Sequence, residues 1–417
     1  MAFNVFQQVN FLSMASNLVT DLDGTQADLQ KELQLRLNLA LFLVPGWKVV
    51  WGPVVWKNEP EDTSYGPDDA WYVAFNPSLE FEDGSVHPAY IIAIAGTPLK
   101  AEYVWVNQNF GVNAVTDFNV WVAGGIQNAP VVVPAARIVP GTPYIARGTV
   151  NAVHLVLTTP APEGAKGAGT TLLDFISDVD WSVNDRLIAT GHSLGGALSP
   201  SLALALVTSG IVAADRTLTY PVAAPSPGNQ GFTNLFAATF PACKADDAGS
   251  YQGWNLNLVN TLDIVPQAWC QLFDRSPKQN LANIPSIYGR PVLPIILGGT
   301  IVFAFFALSS GAVFFPLPSQ FFTGPPPPFA PPTDLDQFLK NFVAEHILPY
   351  FNEVGIEPPA TSEVLGSGLS LKTEVERRFD YPVIAEFEWA REHPEEARKE
   401  IEKVEDTDEG KAFIANA

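Results

Sequence analysis

The chain has 417 residues, 47% of them hydrophobic, enough for one large α/β domain or two ordinary ones with a sizeable core. Its 44 acidic against 23 basic residues leave a net charge of -21, which argues against nucleic acid or an anionic membrane as a partner and fits neutral substrates. Two cysteines, Cys243 and Cys270, are too few for a disulfide framework, although one bridge between them stays open. Neither they nor the five histidines (His87, His154, His192, His346, His393) have metal-ligand spacing, so no metal and no other cofactor is expected.

Residues 1–8 lack the basic and continuous apolar regions of a signal peptide, and Asn76-Pro77-Ser78 fails as a glycosylation sequon because of its proline. Two readings follow: an intracellular protein, or a secreted one whose leader is missing from this sequence. Residues 3–43 carry apolar positions at helical spacing, broken at 21–24, and predict N-terminal helices. Strand patterns follow at 47–56, 71–75 and 90–95, the last ending in Gly96-Thr97-Pro98. Residues 101–160 are polar-aromatic and give no definite pattern, and 171–180 predict a helix.

The run Leu187-Ile188-Ala189-Thr190-Gly191-His192-Ser193-Leu194-Gly195-Gly196-Ala197-Leu198 contains G-x-S-x-G between a buried strand and an Ala/Leu-rich helix. That is the layout of a nucleophile elbow, in which Gly191 and Gly195 allow strand and helix to approach and Ser193 is left at the tip of the turn. A serine hydroxyl is a weak nucleophile at neutral pH, so a base and an orienting acid must lie elsewhere. Further strands are predicted at 217–224 and 255–260. The second runs into Thr261-Leu262-Asp263-Ile264-Val265-Pro266, where Asp263 stands after a strand as a triad acid requires; Asp246, Asp247 and Asp274 are the alternatives, in polar stretches that read as surface loop. Downstream of Asp263 there are two histidines. His346 has apolar flanks, whereas His393 lies in a charged stretch, so His346 is favoured as base, and His192 is expected to be packed or hydrogen-bonded within the elbow. For an oxyanion hole, the amide of Leu194 and the Gly96-Thr97 turn are the candidates, with Thr97 supplying an amide and a hydroxyl.

Residues 291–333 contain no charged side chain. Their length admits a membrane span, but a span would place Asp263 and His346 on opposite sides of a bilayer, and Pro294, Gly298, Gly299, Gly311 and Pro316 are expected to interrupt any helix. The segment therefore reads as a large apolar insertion, at about 285–333, that shields or extends a hydrophobic site or docks on lipid, or else is simply packed internally, with the prolines at 325–328 as a stiff return. Beyond residue 360 the chain is dense in Glu, Arg and Lys and predicts a charged helical tail over 361–417.

Together, Gly96-Thr97 after an apolar strand, the elbow around Ser193, Ala224-Pro225-Ser226-Pro227-Gly228-Asn229, Asn260-Thr261-Leu262-Asp263-Ile264-Val265-Pro266, and His346 followed by Tyr350 resemble the class 3, or fungal-type, lipases of the α/β-hydrolase superfamily over roughly residues 85–355. The resemblance implies an α/β fold over 1–360, with a mainly parallel central sheet flanked by helices. It also implies an esterase acting on acylglycerols and related esters, in which Ser193, Asp263 and His346 form the triad. Two departures stand out. Ile94-Ala95 occupy the place where the family has an aromatic and an arginine, and residues 98–130 show no clear amphipathic lid helix. The expected function is thus a serine carboxylic ester hydrolase of lipase type, working on an ester or lipid substrate, with a lipid–water interface as one setting. No nucleic-acid partner and no integral membrane span are expected, and the oligomeric state is open. The alternatives are an esterase for bulky soluble esters of feruloyl or lactone type and a non-catalytic binder of apolar ligands or membranes.

Overall fold

The computed structural model describes residues 3–358, apart from 99, 247 and 273. Two helices open the chain, α1 (Val5–Ala15) and α2 (Gln26–Leu41), capped by Asn4 and Thr25 through side chains that accept from the amides of Gln7 and Asp28. Strands β1 (Lys48–Trp56), β2 (Asp69–Glu80) and β3 (Val86–Ile94) form an antiparallel meander. The stretch without a sequence pattern holds α3 (Glu102–Val104), a π-helical turn (Trp105–Asn109), β4 (Val115–Asp117), α4 (Phe118–Ala123), β5 (Val132–Val133), β6 (Tyr144–Ala146) and α5 (Arg147–Thr158). Then come α6 (Leu172–Asp178), β7 (Arg186–His192), α7 (Leu194–Thr208), β8 (Thr217–Val222), β9 (Gly228–Asn229), α8 (Gln230–Thr239) and β10 (Asn257–Asn260). The described part closes with α9 (Pro294–Ser309), β11 (Phe314–Phe315), β12 (Ser319–Phe322) and α10 (Leu335–Val354).

The central sheet has seven strands in the order β1-β2-β3-β7-β8-β10-β12. Pairing is antiparallel as far as β3 and parallel from β3 through β12, so the sheet is mixed, with its parallel part on the side of the elbow. Its middle strands are apolar on both faces because both faces are covered. Along β3, Ala89, Ile91 and Ala93 join a core with α1 and α2, whereas Ile92 and Ile94 join the core built on α5, α6 and α7. A smaller five-stranded sheet, β11-β9-β6-β4-β5, packs beside it and absorbs the valine-rich stretch that sequence pattern left unplaced. Its strands are two or three residues long, too short for a period to register.

The apolar insertion differs from expectation in two respects. Helix α9 runs unbroken from Pro294 to Ser309: Pro294 occupies the first turn, where no amide hydrogen bond is lost, and Gly298 and Gly299 are carried inside it. Residues 319–322 are not part of an excursion at all, for β12 pairs in parallel with β10 and forms an edge of the central sheet. At 16 residues α9 is about 24 Å long, short of a bilayer core, and no described helix is long and apolar enough to cross a membrane. Cys243 is exposed and Cys270 buried, and both are free thiols. The charged stretch 361–417, with His393, lies outside the described residues.

Candidate active site

The elbow takes the form its glycines allow. Ser193 sits between β7 and α7 at φ 59° and ψ -123°, a conformation that costs a non-glycine residue energy and is held by the surrounding structure. Its amide donates to the Val222 carbonyl (3.0 Å). A β-carbon at Gly191 would lie 2.3 Å from the Gly195 carbonyl group, and one at Gly195 would lie 2.2 Å from the Ile94 carbonyl oxygen, so strand and helix meet only because both side chains are missing. Leu194 opens α7, which puts its amide at the positive end of that helix.

The Gly96-Thr97 turn stands against this elbow. A β-carbon on Gly96 would come within 2.9 Å of the His192 carbonyl oxygen and 3.1 Å of the Ser193 β-carbon. Two residues that sequence reasoning missed hold the turn. Asn17, just after α1, accepts the Gly96 amide with Oδ1 (2.8 Å), and Asn109, at the end of the π-helical turn, donates from Nδ2 to Thr97 Oγ1 (2.8 Å). A hydroxyl that accepts in this way keeps its own hydrogen to donate elsewhere. The neighbouring Gln108 donates to the buried carboxyl of Asp69 (2.7 Å), which fastens the same turn to β2. π-Helical turns recur at functional sites, which would have been the sequence-independent hint.

Asp263 and His346 are brought together from opposite ends of the apolar insertion. His346 Nδ1 donates to Asp263 Oδ2 (2.8 Å), and the acid is fully buried. The same oxygen accepts from the Tyr350 hydroxyl (2.7 Å), while Oδ1 accepts the Val265 amide (3.0 Å). With its hydrogen on Nδ1, the neutral His346 ring presents Nε2 as an acceptor. The Tyr350 phenol is pushed well above its ordinary value by burial and by the charge of Asp263, so it remains a donor. Asp246 and Asp274, the alternative acids, are exposed, and Asp247 lies outside the described residues.

His192 is buried, and its Nε2 donates to the His346 carbonyl (2.8 Å), with the two rings 4.6 Å apart. Burial first, and the neighbouring His346 second, hold His192 well below the ordinary imidazole range, so it is a neutral tie between β7 and α10. His87 and His154 are engaged with the carbonyls of Asn184 and Gln127. Among the described residues no group of three or more His, Cys, Asp or Glu side chains could hold a metal ion.

Apolar and aromatic side chains flank the acid turn. Phe303 of α9 lies 5.2 Å from the ring of Phe110 and 6.0 Å from that of Trp269, and Phe110 and Trp269 are 5.5 Å apart, so α9 is seated between the segment after Thr97 and the loop after Asp263.

Residues 127–273 match the model of the family described as lipase (class 3). No curated protein sequence is significantly similar to the chain. Among solved structures, that of M37 lipase superposes with a TM-score of 0.62 at 20% identity, over 88% of this chain and 100% of that one. The lipase of Rhizopus microsporus var. chinensis gives 0.34 at 17% identity over 60% and 72%, and the nonglycosylated LIP2 lipase of Yarrowia lipolytica gives 0.39 at 15% over 62% and 73%. The M37 superposition shows the shared fold. The similarity to the family described as lipase (class 3) is carried by residues 127–273, and the chain as a whole shares its α/β fold with M37 lipase.

Proposed function

We propose that the protein is a serine carboxylic ester hydrolase of lipase type that cleaves acylglycerol or other fatty-acyl esters through an acyl-enzyme on Ser193. The observation that carries this reading is the buried Asp263–His346–Tyr350 hydrogen-bonded group, tied by His192 to the end of the strand that precedes Ser193. Ser193 Oγ attacks the ester carbonyl carbon while His346 Nε2 takes its proton, and Asp263 orients the ring and stabilises the imidazolium. The tetrahedral oxyanion is met by the Leu194 and Thr97 amides and the Thr97 hydroxyl, each such donor being worth about 3 kcal/mol in the transition state. Collapse expels the alcohol with the proton from His346. Water, deprotonated by the same imidazole, then adds to the acyl-enzyme, and the carboxylic acid leaves as Ser193 recovers its proton.

The fatty-acyl preference is supported by the uncharged stretch 291–333, which lies between acid and histidine, and by its aromatic seat beside the acid turn. Ser193→Ala tests the mechanism: hydrolysis of a short p-nitrophenyl ester should fall by at least about a thousandfold, with loss of fluorophosphonate labelling and an unchanged circular dichroism spectrum. Undiminished hydrolysis would remove Ser193 from the mechanism. A rate series from short to long acyl chains, in solution and in emulsion, tests the substrate class. Rates that fall steadily with chain length in both media would favour a soluble bulky ester instead.

A further inference from the structure

The junction of β10 and α10 contains a side-chain cluster that the acyl-transfer steps do not use. Pro349 has no N–H to offer the carbonyl of Glu345 one helical turn earlier. Asn260 Nδ2 takes its place, donating to that carbonyl (3.0 Å) and to Glu345 Oε2 (2.8 Å). Asn260 Oδ1 accepts the amides of Gly324 (2.9 Å) and Leu262 (3.2 Å), and the Asn260 amide donates to the Tyr350 hydroxyl (3.1 Å), which itself donates to Asp263. One asparagine therefore joins the end of β10, the acid turn, the segment after β12 and the helix that carries His346. Glu345 is locked into this knot. It is 2% exposed, and a β-carbon on Gly324 would lie 2.9 Å from its Oε2.

Resting on the function proposed above, we propose that Glu345 is a positioning residue for the His346–Asp263 pair. Its carboxyl, held by Asn260, is neutral in acid and anionic in alkali, and the anion supports the imidazolium that forms as Ser193 attacks. Burial is the main force that lifts Glu345 to about 7, the Asp263 charge adds to it, and the Asn260 hydrogen bond opposes it. The groups that face this cluster come from several elements. The acid turn contributes Asp263. Tyr288, before α9, is held well above its ordinary value by burial and by the charges of Asp263 and Glu345, so it stays an uncharged phenol. His192 from β7 is neutral, as is Tyr350 from α10. The sign follows. Below about pH 7 Glu345 is protonated and acts as an amide would; above it, a negative charge next to the pair lowers the energy of the imidazolium.

Glu345→Gln keeps an acceptor for Asn260 and removes the charge. Compared by kcat/KM on a short p-nitrophenyl ester between about pH 5.5 and about pH 9, the ratio of wild type to variant should rise by about three- to tenfold across neutrality. A purely structural role would lower the variant by one pH-independent factor, and that flat ratio would overturn the inference. If the Gln variant lacks the wild-type circular dichroism spectrum, Glu345→Asp, which keeps an acid but withdraws it from Asn260, gives the same reading. The pH step then survives at reduced height, and a uniform loss overturns the idea. A wild-type protein that hydrolyses no ester and takes no fluorophosphonate label sinks the proposed function itself, whereas an active wild type with a flat ratio sinks Glu345 alone.

Discussion

Asp69 is the buried acid whose energetic consequence can be worked most directly. Its carboxyl is wholly enclosed at the start of β2 and receives one hydrogen bond, from Gln108 Nε2 (2.7 Å). Burial, with a smaller contribution from the charge of Asp68, lifts it from 3.8 to about 7 against the opposing Gln108 bond. Between those two values the folded chain keeps a proton that the unfolded chain has released. The sign is therefore that of a raised acid: the contribution to stability is whole below about pH 4, is lost as pH rises towards 7, and changes little beyond. At about 1.4 kcal/mol per pH unit the interval amounts to about 4 kcal/mol. Asp69→Asn keeps an acceptor for Gln108 and never ionises. Its stability relative to wild type should therefore climb by up to this amount between about pH 4 and about pH 8. Urea unfolding of both proteins at several pH values measures the difference, and groups common to both, Glu345 among them, cancel. A difference that does not vary with pH, or one that moves against the variant as pH rises, would refute the assignment of a protonated Asp69.

The other expectations concern the reacting groups more directly. Tyr350→Phe removes the hydroxyl between the Asn260 amide and Asp263 Oδ2, at a cost of about 2–4 kcal/mol in urea unfolding and about tenfold in kcat for ester hydrolysis. An unchanged stability would mean that the bridge is idle. Asn109→Ala frees the Thr97 hydroxyl and should lower kcat by about tenfold with little change in KM; a rise in KM alone would place Thr97 in substrate binding. Gly191→Ala sets a methyl group 2.3 Å from the Gly195 carbonyl group, so fluorophosphonate labelling of any folded protein recovered should be lost. Normal labelling would show an elbow able to relax.

Much of the frame is legible in the chain because its signals are local. The apolar run of β3, the G-x-S-x-G turn between β7 and α7 and the break between α1 and α2 each depend on periodicity or on glycine at a position where backbone meets backbone. The insertion departs from its sequence pattern for the converse reason. Proline and glycine are helix breakers by propensity, yet Pro294 stands where helices tolerate proline, and tertiary burial of Gly299, Thr300 and Ile301 carries α9 through the glycine pair. The strand at 319–322 could not be told from its apolar surroundings, since only pairing with β10 distinguishes it.

The same division applies to the site. Residue types and their order carry the proposed chemistry: a serine in a glycine-flanked turn, then an aspartate after a strand, then a histidine with apolar flanks are the parts that acyl transfer would need in any fold that lets them meet. Tertiary structure alone decided what supports them. Asn17 reaches Gly96 from 79 residues earlier in the chain, Asn109 and Gln108 link Thr97 to a buried acid, and Asn260 stands in for the amide that Pro349 lacks. Such partners carry no pattern, because a hydrogen bond between residues distant in sequence depends on distance and burial, which exist only once the sheet has closed and both faces are covered.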